Sequence, residues 1–198
     1  MRVLLITVCV VVALAGCGGA GTVPDAIHGT EDTTADTEST PRQPTTPSSA
    51  RYDVDVEQIE DLIHEKMNER RIQNGVEPLE RNKTLDAVAR YKSWDMAQQD
   101  YFAHNSPNRS THAKLRGKYN VNCQYSGQNL VKDLGPINSS NKQLFLLDVE
   151  RVSKRAIELL FNSTAHRQNA LSSNYDSQGI GVFVDENGTV FVTQELCG

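Results

Sequence analysis

Several short signatures that identify enzymes are missing from this sequence. It has no nucleophile elbow, no phosphate-binding loop, no HExxH zinc motif and no paired Cys-x-x-Cys. It also has no excess of positive charge, since 20 Lys and Arg residues stand against 25 Asp and Glu residues. The composition therefore favours neither a nucleic-acid-binding protein nor a basic protein of membrane surfaces.

The sequence lacks an apolar run long enough to cross a bilayer as a permanent helix. Arg2 precedes a short apolar run over residues 3–14, which has the form of a secretory signal. Residues 14–17, Leu-Ala-Gly-Cys, resemble the lipobox of prokaryotic lipoproteins. We therefore expect a signal peptide over residues 1–16, and a lipid on Cys17 that holds the protein at the outer face of the cell membrane. The alternative is plain secretion, with Cys17 incidental.

Residues 17–50 contain little that could be buried in a core. After Cys17 this segment is rich in Thr, Ser, Pro and acidic residues, and its five acids against one base account for four of the five net negative charges. Such a composition predicts a disordered, extended tether between the anchor and a folded domain.

Residues 51–198 are enough for one domain with a real core. Cys9 leaves with the signal and Cys17 carries the lipid, so Cys123 and Cys197 remain. In an oxidising compartment we expect these two to form a disulfide that ties the end of the chain to the middle of the domain. The alternative is a pair of buried thiols. We expect the domain to be a monomer.

Apolar periodicity predicts four helices in this domain. The first starts after Asp53 or Asp55 and ends near Gly75, and the second covers about residues 84–99 after a turn at Asn82. A short helix is predicted over residues 111–116 and a long one over about residues 141–162.

The C-terminal part changes to a period of two. Ile180, Val182 and Val184 alternate with other residues, and Asn187-Gly188 lies in the turn that leads to a second strand. A third strand is predicted over residues 129–132. Helices followed by a small antiparallel sheet indicate an α+β layered domain.

Five Asn-x-Ser/Thr sequons follow the signal. Beyond a signal peptide such sequons are glycosylation candidates in a host that glycosylates, and about half are expected to be used. The candidates are Asn82, Asn108, Asn138, Asn162 and Asn187.

Two of the five histidines lie in motifs that end helices. His104 belongs to Tyr-Phe-Ala-His-Asn-Ser-Pro over residues 101–107, and His166 to Phe-Asn-Ser-Thr-Ala-His-Arg-Gln-Asn over residues 161–169. By contrast, His64 lies within the first helix and is expected to be solvated or to stabilise that helix. His112 is expected in a surface turn.

These segments, together with Gly-Gln-Asn-Leu at 127–130, Gly-Ile-Gly-Val at 179–182 and Thr-Gln at 193–194, resemble the CAP family. The family is named after cysteine-rich secretory proteins, antigen 5 and pathogenesis-related 1 proteins, and its extracellular domain is also called SCP-like. The resemblance, of the prokaryotic type, covers residues 57–198. It implies a three-layer α-β-α sandwich with a small antiparallel sheet.

The resemblance also implies a cleft in which many members place two histidines and two glutamates around a divalent metal. His104 and His166 match the histidines, whereas Gln128 and Ser163 fall where the glutamates are expected. Without the two carboxylates a tight metal site is not expected, because two imidazoles do not complete a four-coordinate site. We expect a polar, hydrogen-bonded cleft in which the Gln128 amide can bond to a histidine. The alternative is weak binding of a metal such as Zn²⁺ through His104 and His166.

The family resemblance leaves two classes of function open. The first is a non-catalytic module on a lipid-anchored stalk that binds an envelope component, a small apolar ligand or a protein. The second is a metal-assisted or serine hydrolase that acts on surface substrates, with Ser163 near His166. The missing carboxylates favour the first class, because a metal or general-base mechanism needs such groups.

Overall fold

The computed structural model describes residues 54–132 and 148–198. The expected signal peptide, the lipidated Cys17, the tether and the sequon at Asn138 lie outside these residues. Within them, no helix is both long enough and apolar enough to cross a membrane.

Two long helices start where a side chain caps them. Helix α1 spans Val56–Gln73, and the Asp55 carboxylate accepts a hydrogen bond from the Gln58 backbone N–H at 2.9 Å. Helix α2 spans Lys83–Gln98, and the Asn82 side chain accepts hydrogen bonds from the first turn. Each cap satisfies backbone N–H groups that have no partner within the helix. Both predicted helices are confirmed.

The remaining helices differ in part from the prediction. Helix α3 spans His112–Lys118 and so includes Gly117, which was expected to follow it. Helix α4 spans Val149–Asn162. Its predicted start near residue 141 was wrong, because Asp148 caps the first turn. A short helix α5, Thr164–Ala170, was not predicted.

The strands among the described residues are β1 Glu80–Arg81, β2 Ser126–Lys132, β3 Ser177–Val184 and β4 Val190–Cys197. They form one sheet in the order β1-β3-β4-β2. Strand β4 pairs antiparallel with β3 on one side and with β2 on the other, which confirms the hairpin and the third strand. The two-residue strand β1 pairs parallel with β3 and was not predicted.

The sheet lies between two helical layers. On one face the apolar residues of α1 and α4 pack against alternate residues of β3 and β4, and this cluster forms the main core. On the other face α2 packs against β3 and β4, and α3 packs against α2. The structure therefore has the α+β, α-β-α arrangement that was predicted.

Helix α2 lies unusually close to β3 because two positions of that strand have no side chain. A Cβ atom at Gly179 would overlap the backbone of Leu85, and one at Gly181 would overlap the backbone of Arg90. The Gly-Ile-Gly segment thus brings the helix backbone directly onto the sheet.

The outer edge of β3 is closed by acidic side chains beyond the end of β1. The Asp86 carboxylate accepts the Ile180 N–H at 2.9 Å, and the Glu60 carboxylate accepts the Val182 N–H at 3.0 Å. Both carboxylates are buried, and Arg90 is ion-paired with Glu60. The two edge N–H groups are therefore satisfied, although none of the described strands pairs with them there.

A disulfide joins Cys123, just before β2, to Cys197, the last residue of β4, with a Cα–Cα distance of 5.3 Å. This confirms the predicted pairing and rules out two free thiols. The backbones of Tyr125 and Gly198 exchange two hydrogen bonds beside it. The C-terminal end of the chain is thereby fixed to the start of β2.

Candidate functional site

An open cavity of about 480 Å³ lies where β2 meets α5. All of its lining residues except Ala165 carry a polar group, and none is acidic or permanently charged. It brings together three of the four predicted cleft residues, His104, Gln128 and His166. The other lining residues are Asn129, Ala165, Gln168, Asn169, Ser172 and Tyr175.

The loop that follows α2 carries His104, and a buried cluster fixes this loop. The Tyr101 and Ser106 hydroxyls both donate to the Asp95 carboxylate, the second at 2.8 Å. The Lys92 ammonium donates to the Tyr101 oxygen at 2.8 Å, and burial lowers the pKa of Lys92 to about 8. These bonds hold both sides of His104 to the last turns of α2.

Gln128 connects His104 to a buried acid. His104 Nδ1 lies 2.9 Å from Gln128 Oε1, and Gln128 Nε2 donates to Glu195 Oε1 at 2.5 Å. Gln128 and Glu195 are opposite each other in the β2–β4 register. Glu195 is fully buried, and burial raises its pKa to about 7, although Gln128 and Arg116 oppose that rise.

Arg116 of α3 completes this group beneath the cleft. Its guanidinium donates to Glu195 Oε2 at 3.1 Å, to the Ser126 hydroxyl at 2.7 Å and to His112 Nδ1 at 2.9 Å. His112 is the first residue of α3 and half-buried, so it does not lie in the expected surface turn. Burial lowers the pKa of His112, and the Arg116 charge lowers it further.

A second set of amides lies on the opposite face of the sheet. Asn129 and Gln194 are opposite each other in the β2–β4 register, and Asn129 Nδ2 donates to Gln194 Oε1 at 2.9 Å. Gln194 Nε2 donates to Gln178 Oε1 at 2.7 Å. Gln178 Nε2 lies 2.8 Å from Nδ1 of His64. His64 is therefore half-buried and part of this chain of amides, not a solvated helix residue.

His166 and Ser163 have different roles in the structure. Ser163 ends α4 and caps α5, where its hydroxyl accepts a hydrogen bond from the His166 backbone N–H at 3.4 Å. Ser163 is not among the lining residues of the cavity. His166 lines the cavity, and burial lowers the pKa of its ring, with a further contribution from His104.

Arg71 of α1 holds the segment that follows α5. The guanidinium is almost fully buried and donates to the carbonyl oxygens of Ala170 at 2.6 Å and Ser172 at 3.0 Å. It also reaches the carbonyl oxygens of Glu77 at 2.7 Å and Tyr175 at 3.4 Å. Through these bonds to carbonyl oxygens, the buried guanidinium fixes the backbone of the segment from which Ser172 and Tyr175 line the cavity.

The described residues do not fit a tight metal centre. Among residues 54–132 and 148–198 no group of three or more His, Cys, Asp or Glu side chains is placed to hold a metal ion. His104 Nδ1 is engaged with Gln128, and apart from the His166 imidazole the other polar lining groups are amides and hydroxyls. This donor set does not match the four ligands of a structural zinc site. Weak binding by His104 and His166 stays a prediction.

Sequence reasoning missed the other residues of the site, namely Glu195 and the lining residues Asn129, Ala165, Gln168, Asn169, Ser172 and Tyr175. A signal for the first was present, because Glu195 stands in a strand whose other residues are mostly apolar. Buried polar residues in a strand must be hydrogen-bonded, so their presence indicates a polar network. Tyr175 and Ser172 lie in a loop with no such signal.

Four sequons lie among the described residues. The Asn82 and Asn108 side chains use their oxygen atoms as acceptors for backbone N–H groups, and Asn108, Asn162 and Asn187 are exposed. Asn162 ends α4, three residues before Ala165 of the cavity lining. Glycosylation at these positions stays a prediction.

Several known proteins share this fold. An uncharacterized protein of Bacillus subtilis (strain 168), YkwD, is 27% identical over 143 residues, which are 72% of this chain and 48% of that protein. The chain thus spans about half the length of this curated relative. An extracellular SCP-domain protein of Bacillus anthracis matches with 23% identity and a TM-score of 0.56, over 71% of this chain and 40% of that one. An outer surface protein of Borrelia burgdorferi matches with 14% identity and a TM-score of 0.59, over 73% and 95%.

The family comparison covers both the core and the site. The family model described as "Cysteine-rich secretory protein family", or CAP, matches residues 64–196, which are more than half of the chain. The matched residues include His104, Gln128 and His166. The chain belongs to the cysteine-rich secretory protein (CAP) family.

Proposed function

We propose that this protein is a lipid-anchored, extracellular binding protein whose CAP domain recognises a component of the cell envelope in its polar cleft, without catalysing a reaction. The observation that carries the proposal is the lining of the cavity. It offers imidazole, amide and hydroxyl groups for binding, and no carboxylate lines it to serve as a general base or to hold a metal.

The competing hydrolase class has less support from the same geometry. A serine nucleophile needs a base at its hydroxyl and a group that orients the base. The recorded partner of the Ser163 hydroxyl is the His166 backbone N–H, and Ser163 lies outside the cavity lining. An arrangement of this kind favours a helix cap over a nucleophile.

The extracellular location rests on the N-terminal sequence and on two relatives. Residues 14–17 resemble a lipobox, one relative is described as extracellular and another as an outer surface protein. If Cys17 carries the anchor, Cys17→Ser should release the domain into the medium or leave the signal uncleaved. Fractionation of cells and mass measurement of the N-terminus distinguish these outcomes. Membrane retention of a cleaved but unlipidated Cys17→Ser protein would contradict the anchor.

Blocking the cleft tests the binding function. Gln168 is exposed and lines the cavity, so Gln168→Trp should fill the cleft without disturbing the core. The full-length protein, solubilised in detergent, is sedimented with isolated cell envelopes. We expect at least a tenfold weaker association for Gln168→Trp than for the wild type.

The matched control is Gln73→Trp, which introduces the same side chain at an exposed position at the end of α1. Gln73→Trp should associate like the wild type, and both variants should unfold at the wild-type temperature. Equal association of wild type and Gln168→Trp would contradict binding in the cleft. Release of new reducing ends, carboxylates or amines from envelopes by the wild type alone would instead establish a hydrolase.

A further inference from the structure

Two hydrogen-bond chains determine which atoms the cleft presents to a ligand. One chain runs from Glu195 through Gln128 to His104, on the α2 and α3 side of the sheet. The other runs from His64 through four amide side chains to Tyr175, on the α1 and α4 side. Each contains groups that can only donate or only accept, so the direction of every bond follows from chemistry.

The first chain fixes the proton of His104. Above pH 7 Glu195 is mainly a carboxylate, which only accepts hydrogen bonds, so it turns the amide nitrogen of Gln128 toward itself. The amide oxygen of Gln128 therefore faces His104 Nδ1 at 2.9 Å, and it can only accept. Nδ1 must carry the proton, and the lone pair of the neutral ring is at Nε2. Since His104 lines the cavity with Nδ1 engaged, Nε2 is the nitrogen left for a ligand.

The second chain is oriented by backbone carbonyl oxygens, which also only accept. Asn169 Nδ2 donates to the Gln128 carbonyl oxygen at 3.3 Å and to Asn129 Oδ1 at 3.0 Å. Asn129 Nδ2 donates to the His166 carbonyl oxygen at 3.2 Å. The oxygen of the Asn169 amide is therefore left for Tyr175, whose hydroxyl donates to it at 3.0 Å.

Tyr175, like His104, is left with only lone pairs for a ligand. Its single O–H is committed to Asn169, so its oxygen offers a ligand only lone pairs. The onward bonds from Asn129 through Gln194 and Gln178 to His64 all donate in one direction. Gln178, Gln194 and Asn129 are each at most 1% exposed, so water molecules do not compete for the hydrogen bonds of these amides.

The cleft thus presents two neutral acceptors and selects against charged ligands. An anion would face lone pairs at His104 and Tyr175. An ammonium group would find no counter-charge, because no carboxylate lines the cavity. A ligand with several neutral hydroxyl donors satisfies both acceptors and can also use the amide of Gln168.

Exposed aromatic rings occur in the segments that carry the site. Phe102 is 46% exposed and precedes His104 by two residues, and Tyr125 is 48% exposed and precedes Gln128 by three. Partly exposed aromatic rings offer apolar faces to ligands that are otherwise polar, such as sugars. We infer that the cleft binds a neutral oligosaccharide whose hydroxyls donate to His104 Nε2 and Tyr175 Oη; this rests on the proposed function of the same cleft.

The state of His104 can be measured without a ligand. In the ¹⁵N-labelled full-length protein in detergent at pH 8.5, two-bond proton–nitrogen correlations should show His104 with its proton on Nδ1. Gln128→Leu removes the link to Glu195 and should shift part of the His104 population to the Nε2-protonated form. A wild-type ring protonated mainly at Nε2 would overturn the inference.

The ligand class is tested with defined sugars. The tetramer of N-acetylglucosamine and maltotetraose are the neutral probes, and tetragalacturonic acid is the anionic one. At least one neutral probe should shift the signals of His104 and Tyr175 and bind at least tenfold more tightly than the anionic probe. Tyr175→Phe removes one acceptor and should weaken that binding about fivefold. Tyr91→Phe, on α2 and outside the cavity lining, should leave it unchanged.

Two results separate this inference from the proposed function. If Gln168→Trp abolishes association with envelopes but no neutral sugar shifts His104 or Tyr175, the cleft binds something else and the sugar inference is wrong. If Gln168→Trp associates like the wild type, the proposed function itself fails. Tighter binding of the anionic than of the neutral probes would also overturn the inference.

Discussion

Glu195 is an ionisable residue in a strand whose other residues are mostly apolar. It stands in the last strand, fully buried, with Arg116 and Gln128 as its hydrogen-bond partners. Burying a carboxylate costs free energy that its partners offset only in part, as its raised pKa shows. Such a cost is consistent with a role in orienting Gln128 and His104.

The pKa of Glu195 predicts how stability changes with pH. Its folded-state pKa of about 7 lies above the ordinary value of 4.5, so the folded state holds the proton more tightly than the unfolded state. The contribution of this group is therefore fully present below pH 4.5 and is lost as the pH rises through 7. The loss is about 3 kcal/mol.

Chemical denaturation between pH 4 and pH 8 checks this prediction. The free energy of unfolding of the wild type should fall with pH relative to Glu195→Gln, which does not titrate. Glu186→Gln, in the exposed hairpin turn, is the control and should keep the wild-type slope. Parallel curves for wild type and Glu195→Gln would show that the carboxyl group has the same pKa in both states.

At the scale of elements, the contact between α2 and the sheet depends on positions without side chains. Strand β3 carries Gly179 and Gly181 where the backbone of α2 passes closest. The sequence alone indicated a strand here through its apolar alternation, with Ile180 and Val182 facing the α1 and α4 core. The close approach of α2 could not be predicted, because it involves residues about ninety positions apart.

Gly181→Ala tests this contact. Its new methyl group would overlap backbone atoms of Ala89 and Arg90, which cannot move without displacing α2. We expect a loss of at least about 3 kcal/mol in unfolding free energy, at the upper end of overpacking effects. Thermal and urea unfolding measure it.

Gly117→Ala is the matched control. Gly117 lies within α3, and a Cβ atom there would meet nothing within 4 Å. Replacing a helical glycine by alanine should raise stability by about 0.5–1 kcal/mol. A Gly181→Ala protein as stable as the wild type would mean that α2 does not lie against β3 as described.

Some helices and strands could be predicted from the sequence more accurately than others. Helices α1 and α2 were predictable because a capping side chain precedes a regular apolar stripe. Strand β1 has two residues, too few for a periodic pattern, and helix α5 buries only Ala170, so it has no apolar stripe. The start of α4 was placed too early because Leu144 and Leu147 continue its apolar period, whereas Asp148 caps it.

The site was predictable only where motifs carry it. His104, Gln128 and His166 were found through the family resemblance, and the structure places them around one cavity. The bonds that orient them come from Glu195 of β4 and Asn169 of α5, and Asn169 is in turn held by Tyr175 in the following loop. Pairing across strands and between layers determines these contacts, and single-sequence patterns do not encode it.

At the scale of the whole molecule, one covalent bond connects the end of the chain to its middle. Cys123 and Cys197 are separated by 74 residues, so their disulfide restricts a large loop of the unfolded chain. Removing it with Cys123→Ala and Cys197→Ala together should lower the unfolding free energy by about 4 kcal/mol. Denaturation of the double variant measures the loss.

The disulfide prediction has an internal control. Reducing agent should destabilise the wild type and leave the double variant unchanged, because no bond remains to be reduced among its domain cysteines. A wild type that is equally stable with and without reductant would contradict a structural role for the bond.

The closed edge of β3 has a consequence for how copies of this protein behave at high local density. If the proposed anchor holds the protein at a membrane, its copies are concentrated on a surface, where exposed strand edges allow sheet extension from one molecule to the next. Here Glu60 and Asp86 already accept the N–H groups of Val182 and Ile180 that a foreign strand would need. A second chain would have to displace two buried, ion-paired carboxylates to add a strand at this edge. Glu60 of α1 and Asp86 of α2 thus disfavour the addition of a foreign strand at this edge, and with it aggregation by sheet extension.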